Sequence, residues 1–467
     1  MAQLGWLGIF RLGLVQTALG AIVVLTTSTL NRVMVVELAL PAMLPGVLVA
    51  LHYMVQMLRP RMGHGSDVGG RRTPWIIGGM AVLAVGGTLA AVATAWMATE
   101  QVAGVVLAVF AFLLIGAGVG SAGTSLLVLL AKRVDPTRRA AAATVVWMMM
   151  ILGFALTAGI TGKLLDPFTT LRLVQVVAAT SLIAFVVALL AVRGVEGRPE
   201  ASRDAASPDP TAASSRNPEL SSTPGSSTQR TPFRAALAQV WGESQARLFT
   251  IFVFVSMLAY SAQDLILEPF AGTVFGYTPG ESTQLAGLQH GGVFAGMLLV
   301  ALMGSVFGGR QIGSLKVWTV GGCIASALAL FGLAAGGFMN GAWPLRETVF
   351  ALGVANGAFA VAAIASMMSL AGAGGAGREG VRMGLWGAAQ AIAFGLGGFA
   401  GTVAIDVTRA FIESPGFAYA LVFACEGVLF VVSAVMALRI VAAPARRAAR
   451  DPLVAEPPFM SGIEGKA

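Results

Sequence analysis

Long apolar stretches separated by short polar breaks run through the whole chain. Twelve of them are about 20 residues long, enough to cross a bilayer: 11–31, 40–58, 74–97, 103–131, 140–162, 171–192, 247–268, 284–306, 316–339, 347–371, 384–405 and 417–440. None shows the period-two alternation of a strand, so the pattern predicts an all-α integral membrane protein with twelve transmembrane helices. One break is long. Residues 197–232 are rich in Ser, Pro and Ala and lack apolar periodicity, which reads as a disordered linker. The expected organisation is a six-helix bundle over 1–193, a linker over 194–234, a second six-helix bundle over 235–441 and a tail over 442–467.

Composition supports this reading and narrows it. Hydrophobic residues make up 56% of the chain and charged residues only 11%, against about 25% charged in soluble proteins. A net charge of +8 could suggest nucleic acid, but the basic residues cluster between apolar runs, as membrane topology requires. With the N-terminus inside, 25 of the 30 Lys and Arg fall on the cytoplasmic side; Arg32, Lys163, Arg172, Arg346 and Arg409 are left outside. Both termini are therefore expected in the cytoplasm. Cys323 and Cys425 lie in separate apolar runs and form neither a disulfide framework nor a metal spacing. The first apolar run is long enough to span and has no small-residue cleavage pattern, so no cleavable signal peptide is expected.

The two halves resemble each other. "RRAAAATVVW" (138–147) precedes the fifth helix and "GREGVRMGLW" (377–386) the eleventh; the same helices end in "GKLLD" (162–166) and "GTVAID" (401–406). Between helices 2 and 3, "GHGSDVGGRR" (63–72) resembles the loop signature of the major facilitator superfamily through Gly63, Asp67, Gly70, Arg71 and Arg72; Val68 replaces the usual basic residue. Arg71 and Arg72 suit anionic headgroups, and Thr73-Pro74 reads as an N-cap followed by Pro at the first helical position. "GSVFGGR" (304–310) is a degenerate copy without the Asp. Parallel six-helix halves place a site at their interface.

Polar residues inside the helices are few. His52 and His290 fall in the corresponding helices 2 and 8, and the repeat offset puts them on nearly the same face. Each is either a packing histidine or a ligand for a metal-bearing pigment. Gln16, Gln56, Asn356, Gln390 and Glu426 complete a mostly apolar cavity lining. The run "WMMMILGF" (147–154) suits packing or a bulky greasy ligand, and glycine spacings such as Gly116/Gly120, Gly353/Gly357 and Gly397/Gly401 suit close helix contact. Asp264 and Glu268, four apart on one face, are costly at membrane depth. Arg32 is expected at the depth of Glu268, so Arg32 pairing with Glu268 or Asp264 would form an interdomain gate, with Asn31 and Gln263 supplying hydrogen bonds. The plainer alternative is a solvated helix end terminated by Pro269.

Two stretches go beyond generic transporter features. "TLNRVMVVELALPA" (29–42) and "QDLILEPFAG" (263–272), with "RPRMGHGSDVGGRRTPW" (59–75) and "YALVFACEGVLF" (419–430), resemble the PucC-like bacteriochlorophyll delivery family of the major facilitator superfamily. Phe270-Ala271 departs from its expected Tyr-Gly. The resemblance implies a non-enzymatic assembly factor for light-harvesting antenna complexes in the bacterial inner (intracytoplasmic photosynthetic) membrane. It implies bacteriochlorophyll, or carotenoid, as bound cargo, and as partners antenna polypeptides, lipids and pigment-synthesis enzymes, with no nucleic acid. Pigment-binding candidates are His52, His290, Gln56, Asn356 and Gln390; the only metal expected is the pigment's magnesium, through His52 or His290. The alternative is a secondary transporter of an amphipathic or lipid-like solute.

Overall fold

The computed structural model describes residues 4–59, 71–135, 138–196, 233–306, 314–339, 342–373 and 379–440. Among them the structure is helical, with no strand. Gly63, Asp67 and Gly70 of the loop signature, most of its degenerate copy, the linker over 197–232 and the tail lie outside the described residues.

The first half holds α1 (Trp6–Glu37), α2 (Met43–Gln56), α3 (Thr73–Trp96), α4 (Gln101–Arg133), α5 (Arg139–Leu165) and α6 (Thr170–Val192). The second holds α7 (Ser244–Phe275), α8 (Pro279–Val306), α9 (Leu315–Phe338), α10 (Leu345–Ala373), α11 (Glu379–Phe411) and α12 (Pro415–Arg439), preceded by a short helix, Phe233–Gly242. Among the described residues, eleven helices are long and apolar enough to span a bilayer; α2, with 14 residues, is shorter. At ~1.5 Å per residue it covers about 21 Å. It starts late because Leu38–Pro41 form a non-helical corner with Ala39 at φ 48°, and Pro41 cannot donate to a preceding turn.

Apolar packing falls into two large clusters. One runs from Ile9 to Val195 and takes in Leu265 of α7; the other gathers α7 to α12 and takes in Val35 and Ala42. A small third cluster, Ile151, Val293 and Met297, joins α5 to α8. Across the halves, α2 packs on α11 and α5 on α8. Val195 and Glu196, past the expected boundary at 193, still pack with the first half. We call the face where α1 begins and α12 ends proximal, and the opposite face distal.

The proximal face carries ties within each half. Glu196 accepts the Arg72 and Thr73 backbone N–H groups (2.8 Å for Thr73), and Arg133 donates to its carbonyl at 3.0 Å. The start of α3 therefore differs from expectation. Thr73 is its first helical residue and Arg72 its N-cap, and the cap is the remote carboxylate of Glu196. Burial alone would raise the Glu196 carboxyl; the Thr73 hydroxyl, the two N–H groups and the Arg71 charge outweigh it and hold it below its ordinary range. In the second half, Arg382 binds Glu243 through Nη2 at 2.6 and 2.8 Å, while Trp386 is 1% exposed with its Nε1 on the Ala246 carbonyl at 3.4 Å. Its repeat mate Trp147 is 39% exposed, so the repeat is not kept at this position.

Candidate functional site

The last third of α1 is where the halves meet at the distal face. Two π-helical turns, Leu25–Thr29 and Val33–Glu37, interrupt its α-helical hydrogen bonding. Such turns loosen the helix and frequently mark functional positions. Thr26 and Thr27 donate back to the Val23 carbonyl at 2.9 and 3.0 Å, while Ser28, Thr29, Asn31 and Arg32, all buried, turn to the second half.

Opposite them α7 runs on to Phe275, closed by Gly276 in the left-handed conformation (φ 69°). The expected end at Pro269 is overturned: Pro269 lies inside the helix. Having no N–H, it leaves the Leu265 carbonyl, four residues earlier, without its helical donor. Asn31 Nδ2 supplies that donor from α1. Glu268 and Asp264 consequently sit about two and three turns inside the helix.

The gate residues converge, but with different partners from those expected. Glu268 accepts from the Ser28 hydroxyl, and Thr29 meets Thr283 of α8 at 3.0 Å. Arg32 pairs with neither Glu268 nor Asp264. Its Nη1 binds Glu37, one turn on in α1, and its Nη2 donates to the Tyr277 carbonyl beyond α7. The π turn is the physical reason, because it swings Glu37 under the guanidinium. Gly272 makes room: a Cβ there would lie 2.8 Å from Arg32 Nη2. Gln263 is fully buried with both amide atoms unpartnered, so it supplies no gate hydrogen bond.

Asp264 faces the space between the halves. It is half-buried beside the Gln289 amide of α8, with Tyr53, Tyr260 and Glu426 within its electrostatic reach. Tyr53 of α2 and Tyr260 of α7 both meet the Phe394 ring of α11, each at 5.9 Å between centroids. Gln390, one turn before Phe394, shares that face and is half-buried. Glu426 of α12 is buried with neither oxygen hydrogen-bonded. Asn356 is elsewhere: fully buried between α9 and α10, it accepts from Ser326 at 2.8 Å and belongs to the packing of the second half. Gln16 points to the Met150 sulfur of α5 at 3.1 Å.

The two histidines are not equivalent. His52 is 2% exposed, its backbone against Gly116 of α4, its Nε2 2.8 Å from the Gln56 amide; Gln56 in turn accepts from Arg59. Both His52 and Gln56 are committed to the first half. His290 is half-buried in α8, its ring edge-on to Phe154 of α5 at 5.0 Å. Its Nδ1 lies 2.8 Å from the Ala286 carbonyl, which can only accept, so Nδ1 carries the proton. In the neutral ring Nε2 then presents a bare lone pair. Met148, Met150, Ile151, Phe294 and Met297 gather at the same α5–α8 seam.

Carboxylates that the polar-residue inventory passed over also cross between the halves. Asp406 of α11 accepts the Ala42 and Met43 N–H groups at the start of α2, at 3.0 and 2.7 Å. Asp166, just after α5, accepts the Thr278 hydroxyl before α8 at 3.0 Å. Their signal was present in the paired helix endings "GKLLD" and "GTVAID".

A family model described as PUCC protein matches residues 29–445. The "Bacteriochlorophyll synthase 44.5 kDa chain" of Rhodobacter capsulatus is 52% identical, covering 97% of this chain and 99% of that one. "Protein PucC" of Rhodobacter capsulatus is 28% identical over 92% and 91%. Among solved structures, a D-xylose-proton symporter superposes with a TM-score of 0.68 at 14% identity, covering 93% of this chain and 97% of that one. A peptide transporter POT in complex with sulfate gives 0.63 at 16%, over 94% and 97%. These two likenesses concern the fold, which is that of the major facilitator transporters. The chain belongs to the PUCC protein family.

Proposed function

We propose that this protein is an assembly factor for bacterial light-harvesting antenna complexes, binding bacteriochlorophyll and delivering it to antenna polypeptides in the inner photosynthetic membrane. The observation that carries the reading is likeness to PucC proteins and to a bacteriochlorophyll synthase chain along nearly the whole chain. Geometry favours His290 as the ligand in this reading. A magnesium-centred macrocycle takes an axial imidazole nitrogen, and a ligating histidine generally donates its other N–H to a carbonyl. His290 has that arrangement and is accessible at an apolar, Met-rich seam; His52 has its Nε2 engaged and lies 2% exposed. We take the chain as non-enzymatic, a reading supported by its PUCC family membership and its transporter fold. In this reading the proximal face and both termini are cytoplasmic.

The test is affinity purification from a phototrophic host followed by near-infrared absorption. The wild type and His52→Leu should carry pigment, and His290→Leu should lose most of it. Pigment absent from the wild type would overturn the cargo, and pigment retained by His290→Leu would overturn the ligand. A second reading, a solute transporter, is favoured by the carboxylates Asp264, Glu268 and Glu426 inside the span. Proton-gradient-dependent uptake into vesicles, abolished by Asp264→Asn, would establish it in place of the first.

A further inference from the structure

Seven hydrogen bonds described above join the halves, and all seven lie on the distal side: Ser28–Glu268, Thr29–Thr283, Asn31–Leu265, Arg32–Tyr277, Asp406 with Ala42 and with Met43, and Asp166–Thr278. The proximal contacts described above, Thr73 with Glu196 and Arg382 with Glu243, each lie within one half. The two aspartates form a matched set. They are 240 residues apart, one more than Trp147 and Trp386 on the same two helices, and each reaches from the end of one helix to the start of a helix in the other half.

The chemistry of each contact is that of a helix cap. The first N–H groups of a helix have no partner within it and carry partial positive charge. At α2 no side chain of the helix's own cap meets this need, and the Asp406 carboxylate takes both Ala42 and Met43 N–H groups. At α8 the need is met in two stages. Thr278 and Glu281 form a capping box, the hydroxyl accepting Glu281 N–H at 3.1 Å and the carboxylate accepting Thr278 N–H at 2.9 Å. The Thr278 hydroxyl proton is left to donate to Asp166. One turn before each aspartate the two helices pack closely against a glycine. A Cβ on Gly280 would lie 2.4 Å from the Gly162 carbonyl, and one on Gly46 would lie 2.0 Å from the Thr402 hydroxyl.

We infer that Asp166 and Asp406 are paired latches holding the distal face shut, so that the cleft opens there only when both inter-half caps are released together. The inference is independent of what the cleft carries. The geometry supports coupling because one rigid separation of the halves would break both caps, and while either remains the other is held in register. Opening of the proximal face breaks neither cap.

Spin labels on exposed distal positions, Thr99→Cys in the first half and Glu413→Cys in the second, report the separation in lipid nanodiscs, with exposed Cys425 replaced by Ser. The wild type should give one short-distance population. Asp166→Ala and Asp406→Ala should each leave it dominant, and the double variant should raise a longer-distance population about fivefold or more, beyond the sum of the singles. A double variant identical to wild type, or one equal to that sum, overturns the proposal. Should the double variant misfold, Ala42→Cys with Asp406→Cys gives a separate test. Mild oxidation should link them, seen by mass spectrometry of the joined peptides, and should hold the short distance in an Asp166→Ala background. Failure to link, or a long distance despite the link, also overturns it.

Discussion

Asn31→Ala tests whether α1 completes the hydrogen bonding of α7. Pro269 deprives the Leu265 carbonyl of its helical donor, and Asn31, 1% exposed, donates to it from the other half. Removing that donor leaves a buried carbonyl unpaired, a cost of about 1–3 kcal/mol in proteins generally. Within membranes, measured inter-helix hydrogen bonds average about 0.6 kcal/mol and reach about 1.7. Part of the cost is offset, because Asn31 Oδ1 is itself buried without a partner and vanishes in the same substitution. A net loss of about 1 kcal/mol is expected. The cycle with Pro269→Ala isolates the cause. Alanine at 269 restores an N–H that reaches the Leu265 carbonyl from within α7, so Asn31→Ala should then cost almost nothing. Reversible unfolding in mixed micelles of all four proteins gives the coupling, expected at about 1 kcal/mol. Coupling within about 0.3 kcal/mol of zero would refute the assignment and reduce Asn31 to a space-filling residue.

Two other outcomes follow from named contacts. Glu196→Gln should lower stability by about 1 kcal/mol at neutral pH, the usual worth of a helix cap, and flatten the acid limb of a stability–pH profile. The folded carboxyl is depressed, so its contribution is complete above the ordinary glutamate value of about 4.3, falls away as pH drops through the depressed value, and is missing from the Gln variant. Gly272→Ala should destabilise, because its new methyl would meet Arg32 Nη2 at 2.8 Å; Gly291→Ala, with nothing within 4 Å, should gain up to about 1 kcal/mol of helix propensity. Equal melting temperatures for the two variants would show that the Arg32 guanidinium yields without cost.

The parts of this protein legible in its sequence are those fixed by the membrane itself. Twenty apolar residues must form a helix because no water is present to satisfy the backbone, so the helices could be read directly. What was lost lies where the chain departs from that rule. A proline signals a helix end, yet Pro269 sits inside α7 because a side chain from another helix takes over the broken hydrogen bond. Two π turns carry no composition signature, and they bring Glu37, in place of Glu268, into the salt bridge with Arg32. Periodicity put His52 and His290 on one face of their helices, but not how much of each ring its neighbours would cover: α4 closes over His52, while α5 leaves His290 half open.

The same distinction explains which polar residues matter. In lipid, apolar surfaces gain little by meeting each other, so contacts between helices are decided by small residues and by hydrogen bonds. Within each half the helices pack along long apolar contacts. Between the halves the buried apolar residues of the α5–α8 seam are Ile151, Val293 and Met297, and the joining polar groups described here lie on the distal side. A polar contact that leaves its groups unsatisfied once parted resists separation steeply and then not at all, whereas a packed apolar face yields gradually. Two matched carboxylates at one end of the seam therefore make that end a latch. Asp264 lies behind this latch, about one turn deeper than Glu268, so the acid four residues before Glu268 faces the cleft and its aromatic wall while Glu268 itself is tied to α1.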